Sequence, residues 1–122
     1  MRQTHSVLRS FVYAGRGLAI VVGSERNARI HVVLAITVVI VGAALGIERW
    51  EWCAVIGAIA LVTVAETLNT SIERLLDRLS PEQDLEIGAA KDLAAGAVLL
   101  AALGAAAIGA VVFGPRLLAA AG

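Results

Sequence analysis

Long apolar blocks alternate with short polar ones along this chain, and three of the apolar blocks are long enough to cross a membrane. They lie at roughly residues 30–47, 53–79 and 92–114, and the last contains no charge between Leu93 and Phe113. A hydrocarbon core of roughly 30 Å requires about 20 residues of helix. The pattern therefore predicts three transmembrane helices.

The segment before the first block has a different pattern. Arg2, Arg9 and Arg16 recur every seven residues and share one helical face, whereas the opposite face carries Val7, Phe11, Leu18 and Val22. This amphipathic arrangement predicts a helix over about residues 4–23 that lies in the membrane surface. A helix packed on a soluble core is the alternative interpretation.

Composition supports the membrane assignment. Hydrophobic residues make up 59% of the 122 residues, compared with roughly 45–50% in soluble proteins. Ala, Val, Leu and Gly supply the excess, as expected for closely packed membrane helices. The predicted fold class is an all-α integral membrane protein, a single domain over 1–122 with an N-terminal amphipathic surface helix and three transmembrane helices.

Charge and cysteine content narrow the function. The net charge is zero, so no nucleic-acid partner is indicated, and the single Cys53 excludes an internal disulfide. Most Arg and Lys residues lie before the first span or between the second and third. The positive-inside rule therefore predicts that the N-terminus and the loop at 74–92 are cytoplasmic.

A stripe of polar residues marks the end of the second span. Glu66, Asn69, Glu73 and Asp77 fall within about 80° of one another on a helix. Glu66 lies only about 21 Å along the helix from Trp52, so it is still within the bilayer. Acids at membrane depth are costly and usually functional, although a solvated helix end with capping charges is the simpler alternative.

These residue types suit chemistry on a phosphorylated nucleotide. Mg²⁺ prefers a few carboxylates together with phosphate oxygens, and Glu25 and Glu73 are the predicted ligands. Lys91 is expected to neutralise developing phosphate charge. Glu66 is the predicted general base, and Asn69, one turn later, is expected to orient Glu66 or the attacking hydroxyl.

The same residues carry a resemblance to a known family. Glu66-x-x-Asn69-Thr70-x-Ile72-Glu73-x-x-x-Asp77, followed by Ala90-Lys91-Asp92-x-Ala94-Ala95-Gly96-Ala97-Val98, resembles the prokaryotic diacylglycerol kinase family. The resemblance extends from Tyr13-x-x-Arg16-Gly17 to Phe113. It implies a small, three-spanning, trimeric enzyme of the bacterial cytoplasmic (inner) membrane. Such an enzyme phosphorylates lipid alcohols with MgATP at shared, cytoplasmic active sites.

Position by position, the resemblance implies a role for each of these residues. Glu66 matches the proton acceptor of the family, and Glu25 and Glu73 match its metal-binding acids. The ATP contacts would come from Tyr13, from the turn of Glu82, Gln83 and Asp84, and from Lys91 and Asp92. Asn69 and Asp77 match other active-site positions.

Two features bear on how closely the chain follows the family. Ser6 stands where some members use an arginine near the nucleotide, so either Arg9 substitutes for it or the contact is absent. The predicted lipid is diacylglycerol, which gives phosphatidic acid. The stretch Glu25-Arg26-Asn27-Ala28-Arg29-Ile30-His31 looks more like the branch that includes undecaprenol kinases, and undecaprenol is the alternative substrate.

Two other classes of membrane protein share some of these features. A small multidrug-type transporter is also short and helical with a membrane Glu, but it requires that acid near the midplane and has no use for Lys91 and Asp92. A non-catalytic assembly protein explains the small residues of the third span but leaves the acidic stripe without a role.

Overall fold

A computed structural model describes residues 6–79 and 84–122, and within these ranges the chain forms four α-helices. They are α1 (Val7–Ser24), α2 (Arg26–Leu45), α3 (Arg49–Leu79) and α4 (Leu85–Ala121). All four are long and apolar enough to cross a bilayer. The chain is therefore an all-helical integral membrane protein. Because α1 is among the four, its position on the membrane surface remains a prediction.

Glu25 interrupts what would otherwise be one continuous helix. Its backbone is extended, with φ −110° and ψ 119°, so it ends α1 and precedes α2. Its N–H donates to the Val21 carbonyl, and its own carbonyl accepts from the Arg29 N–H. The Arg29 guanidinium donates to the free carbonyls of Val22 and Gly23 at the end of α1, which satisfies groups that a helix end leaves unpaired.

The turn between α2 and α3 is shorter than the sequence suggests. Gly46 closes α2 in the left-handed region, with φ 65°, a conformation that glycine adopts without steric cost. The Glu51 carboxylate then accepts from the Glu48 N–H at 2.9 Å, as an acid in the first turn of a helix often does. Trp50 and Trp52, which lie between the first two predicted spans in the sequence, are consequently part of the first turn of α3.

Helix α4 is longer than the predicted third span at both ends. Asp84 precedes it, and its carboxylate accepts from the Ile87 N–H at 2.8 Å. Residues 85–92, which precede the predicted third span, are therefore the first turns of the helix. The helix also continues through Pro115, where the sequence suggested an end. Its 37 residues extend about 55 Å, well beyond the hydrocarbon thickness of roughly 30 Å.

Helices α3 and α4 form an antiparallel hairpin that contains most of the core. Val55, Val112, Phe113 and Ile47 make its buried apolar cluster. Small buried residues, Ala58 on α3 and Ala94 and Ala101 on α4, let the two backbones approach closely elsewhere. Among the small residues of the predicted third span, Ala101 is buried within the chain and Ala97 is exposed.

An ion pair lies near each end of this hairpin. The Arg116 guanidinium donates to both carboxylate oxygens of Glu51, with 3.3 Å between Nε and Oε2. Near the 79–85 connection, Lys91 Nζ lies 2.5 Å from Asp77 Oδ1. The number of residues between Glu51 and Asp77 on α3 equals that between Lys91 and Arg116 on α4 to within one. Both pairs therefore belong to one antiparallel register.

Helix α2 packs on the hairpin at its C-terminal end. Gly42 is buried, and a Cβ at this position would lie 3.0 Å from Cη2 of Trp52 and 3.2 Å from Cδ1 of Ile47. A glycine here lets the indole lie directly against the α2 backbone. The opposite end of α2, near His31, is separated from α3 by cavities instead of close packing.

Loss of one member of the Glu51–Arg116 pair should destabilise the hairpin, because Glu51 is only 4% exposed and would keep an uncompensated charge. We expect Arg116→Leu to lower the melting temperature in detergent more than the double variant Glu51→Leu/Arg116→Leu does. Thermal unfolding followed by circular dichroism measures this order. A double variant less stable than either single variant would mean that the pair itself stabilises the fold.

Candidate functional site

Glu66 is a buried acid on the membrane portion of α3. The residue is 5% exposed, and its Oε1 lies 3.1 Å from Nε2 of His31 on α2. Although the two atoms are close enough for an ion pair, the ring N–H is not aligned for a regular hydrogen bond, and Oε1 has no hydrogen-bond partner. The buried carboxylate thus has the imidazole of His31 as a close polar neighbour.

Two cavities meet beside His31. One, with a volume of about 190 Å³, lies between α1, α2 and α3 and contains Glu66 in its wall. The other, of about 340 Å³, is almost wholly apolar and runs between α2, α3 and α4 as far as Phe113. Both are lined by His31, Ala35, Ile59 and Thr63. The apolar cavity therefore adjoins the cavity whose wall contains the buried carboxylate.

The acidic stripe of α3 runs from this buried position to solvent. Glu66 is buried, Asn69 and Glu73 are partly buried, and the Asp77 side chain is 64% exposed. Asn69 Nδ2 lies 3.5 Å from Oε1 of Glu73, one turn apart. The predicted sharing of one helical face by these residues is consistent with this gradient of exposure.

Buried oxygen atoms without partners concentrate at the inner end of the stripe. Within the described residues they are Glu66 Oε1, Asn69 Oδ1 and Thr70 Oγ1. Buried polar atoms are nearly always hydrogen-bonded, so three exceptions within about one helical turn indicate a site that binds a polar ligand. The neighbouring Thr63 and Thr67 instead donate to carbonyls of their own helix.

The described residues that were predicted to contact the nucleotide lie on α1, on α4 and at the residue that precedes α4. Lys91 is paired with Asp77, Asp92 is exposed on α4, and Asp84 is occupied as the cap of that helix. Tyr13 lies on α1, with the Arg16 guanidinium 5.8 Å from its ring centroid. Glu82 and Gln83 lie outside the described residues.

The two predicted metal ligands come from different elements. Glu25 is at the break between α1 and α2, and Glu73 is on α3. In residues 6–79 and 84–122, no three His, Cys, Asp or Glu side chains form a group that could hold a metal ion by themselves. Two carboxylates still fit Mg²⁺ bound together with nucleotide, since this ion takes only one or two protein carboxylates and completes its shell with phosphate oxygens and water.

Sequence reasoning did not assign functional roles to His31 or Thr70. In the sequence, His31 is only the last residue of the polar stretch Glu25–His31 at the start of the first span. A histidine on the predicted inner edge of one span could have been paired with the membrane acid of the next. Thr70 had no distinguishing signal, because a threonine in a helix ordinarily bonds to its own backbone.

Comparison with known proteins relates this sequence to kinases that act on lipid alcohols. The sequence matches the family described as prokaryotic diacylglycerol kinase over residues 12–113. It is 37% identical over 109 residues to the undecaprenol kinase of Bacillus subtilis, covering 89% of each chain. It is 35% identical to the diacylglycerol kinase of Synechocystis, covering 93% of this chain and 65% of that one. Similarity to the Escherichia coli diacylglycerol kinase is 28% over 78% of each chain.

The gradient along α3 can be tested with single cysteines at positions 66, 69, 73 and 77 in a Cys53→Ala background. We expect labelling by a water-soluble maleimide to increase from position 66 to position 77, because the residues progress from buried to exposed. The extent of labelling is read by mass spectrometry. Equal labelling at all four positions would show that the stripe is a solvated helix end.

Proposed function

The chain belongs to the prokaryotic diacylglycerol kinase family, and from this membership we propose that it transfers the γ-phosphoryl group of MgATP to diacylglycerol, giving phosphatidic acid. Its relatives are lipid kinases, so the chain is a phosphotransferase that acts on a lipid alcohol with ATP as donor. This sets aside the transporter and the assembly protein. The observation that carries the proposal is the buried Glu66 at the point where an apolar cavity meets the acidic stripe.

Glu66 is the proposed general base. A lipid whose chains lie among the helices can bring its hydroxyl to membrane depth, where Glu66 is buried. The hydroxyl proton passes to the carboxylate, and the alcohol oxygen forms a bond to the γ-phosphorus. The bond between that phosphorus and the β–γ bridging oxygen breaks, and ADP leaves with its electron pair. Asn69, one turn along, orients Glu66 or the hydroxyl.

Glu25 and Glu73 are the proposed magnesium ligands. Bound Mg²⁺ neutralises charge on the phosphates during transfer. Glu73 already has Asn69 at 3.5 Å from one of its oxygens, which fixes its orientation and leaves the other oxygen for a ligand. Glu25 has an extended backbone between two helices and is only partly buried, which leaves its carboxylate accessible to a ligand.

The remaining proposed contacts surround the nucleotide. Tyr13, Asp84, Lys91 and Asp92 are assigned to it, together with Glu82 and Gln83 outside the described residues. Lys91 requires a partner exchange in this assignment, because its ammonium group is paired with Asp77 here. A phosphate would compete for Lys91 and release the Asp77 carboxylate.

Undecaprenol is the second candidate substrate. The Bacillus subtilis relative, which is named an undecaprenol kinase, is 37% identical to this chain over 89% of both chains. The Glu25–His31 stretch also resembles that branch. Both lipids present an alcohol on an apolar body, so the reaction at Glu66 is the same for each.

We propose that the functional unit is a homotrimer with shared active sites in the bacterial cytoplasmic membrane, with the sites facing the cytoplasm. Each chain acts as one domain, with α1 on the surface and α2, α3 and α4 crossing. The exposed apolar side chains and small residues of α4 support contact with lipid and neighbouring copies. The distribution of Arg and Lys supports the orientation.

The function is tested by incubating purified protein in detergent with MgATP and either diacylglycerol or undecaprenol. We expect phosphorylated lipid and ADP in equal amounts, with Glu66→Gln reducing turnover by roughly 10²- to 10⁴-fold. Glu86→Gln, which changes an exposed acid at the start of α4, should retain wild-type activity.

Each failure has a separate meaning in this assay. No product with either lipid would contradict the kinase proposal. A Glu66→Gln enzyme that keeps more than about a third of the rate would exclude Glu66 as the base. The ratio of kcat/KM values for the two lipids decides which is the preferred substrate.

Glu25→Gln and Glu73→Gln should each weaken the use of Mg-nucleotide by roughly tenfold or more, as loss of groups that support a metal typically does. The measurement is KM for MgATP at several magnesium concentrations. Excess magnesium should partly restore the milder variant and should not affect Glu86→Gln. Unchanged KM values in both variants would contradict the metal assignment.

A further inference from the structure

His31 contacts the acid on which the reaction depends. Its Nε2 lies 3.1 Å from Glu66 Oε1, and the two side chains are 29% and 7% exposed, respectively. It reaches across from α2 to α3 and is therefore independent of the helix that carries Glu66. A residue from a second helix can hold a catalytic carboxylate in one orientation.

The remaining wall around Glu66 offers little competition for this role. Leu18, Val21 and Val22 face the smaller cavity from α1. The hydroxyl groups of Thr63 and Thr67, which also line it, donate to carbonyls of α3 at 2.7 Å. Among the described residues that line this cavity, His31 is thus the polar side chain that is near Glu66 and not committed to backbone.

His31 also lies where the two cavities beside Glu66 adjoin. It lines both the apolar cavity between α2, α3 and α4 and the smaller cavity that contains Glu66. An alcohol at the end of an apolar chain would meet His31 and Glu66 together. The imidazole can donate one hydrogen bond from Nε2 while its neutral form adds no charge to the apolar wall.

We propose that His31 is a positioning residue for the kinase reaction, holding Glu66 Oε1 through its Nε2–H so that Oε2 faces the lipid hydroxyl. This inference rests on the proposed role of Glu66 as base. His31 acts through Glu66 and takes no proton from the substrate. The tautomer protonated at Nε2 is the one that this contact requires.

The test uses His31→Ala, His31→Gln and the control Thr37→Ala in the full-length enzyme. Glutamine keeps an amide N–H near the position of Nε2. Thr37 is an exposed α2 residue whose hydroxyl bonds only to the Val33 carbonyl. We expect His31→Ala to lower kcat by roughly 10- to 100-fold with the KM values for MgATP and lipid changed less than about threefold. His31→Gln should recover most of kcat, and Thr37→Ala should match wild type.

A double variant separates positioning from packing. If His31 acts through Glu66, adding His31→Ala to Glu66→Gln should change the residual rate less than about twofold, because the base is already absent. The residual rate is measured with radiolabelled ATP over long incubations. The melting temperature of each variant is recorded to identify loss of fold.

Several results would overturn the inference while leaving the proposed function in place. These are wild-type kcat in His31→Ala, a change confined to the KM for lipid, and a full loss of rate on adding His31→Ala to Glu66→Gln. Failure of His31→Gln to recover activity in a folded enzyme would also contradict it. Failure of the function itself would appear as absence of lipid phosphorylation by the wild-type enzyme.

Discussion

The antiparallel register of α3 and α4 is marked by an ion pair near each end of the hairpin, and it sets which residues of the two helices face one another. A charged group without a partner is costly in a bilayer, and each of these four groups has one. The Glu51–Arg116 pair at one end and the Asp77–Lys91 pair at the other belong to the same register. Between them, the small residue Ala101 lies on the buried face of α4, and Glu66 on the buried face of α3. The register thus places Ala101 at about the level of Glu66 along the hairpin.

Much of this architecture follows from the sequence because membrane helices have a strong pattern. The three main spans and the single face of Glu66, Asn69, Glu73 and Asp77 could be predicted from apolar length and from a period of about 3.6 residues. Helix ends were less predictable. The beginning of α4 depends on the Asp84 carboxylate reaching the Ile87 N–H, and its passage through Pro115 depends on packing and neighbouring residues that hydropathy does not describe.

The sequence points to the acids of the candidate site but not to the residues beside them. Glu66 is conspicuous because it is an ionisable residue within an apolar helix. His31 becomes a candidate only when α2 and α3 are placed side by side, since the contact joins residues far apart in the sequence. The pairing of Lys91 with Asp77 likewise requires the hairpin register. Lys91 therefore has a protein partner as well as its proposed phosphate, which hydropathy and spacing alone do not indicate.

The contact of Gly42 with Trp52 bears on how the cavities could open. Because this contact holds the C-terminal end of α2 closely against α3, that end would stay nearly fixed if α2 tilted. His31 lies eleven residues away, or about 16 Å at a helical rise of 1.5 Å, so a tilt of about 10° would displace it by roughly 3 Å. A rotation that leaves the core cluster of Val55 and Val112 intact would thus break the contact between His31 and Glu66. In such a tilt, the end of α2 that packs against the indole ring of Trp52 would stay in place. The end that carries His31 would move away from Glu66.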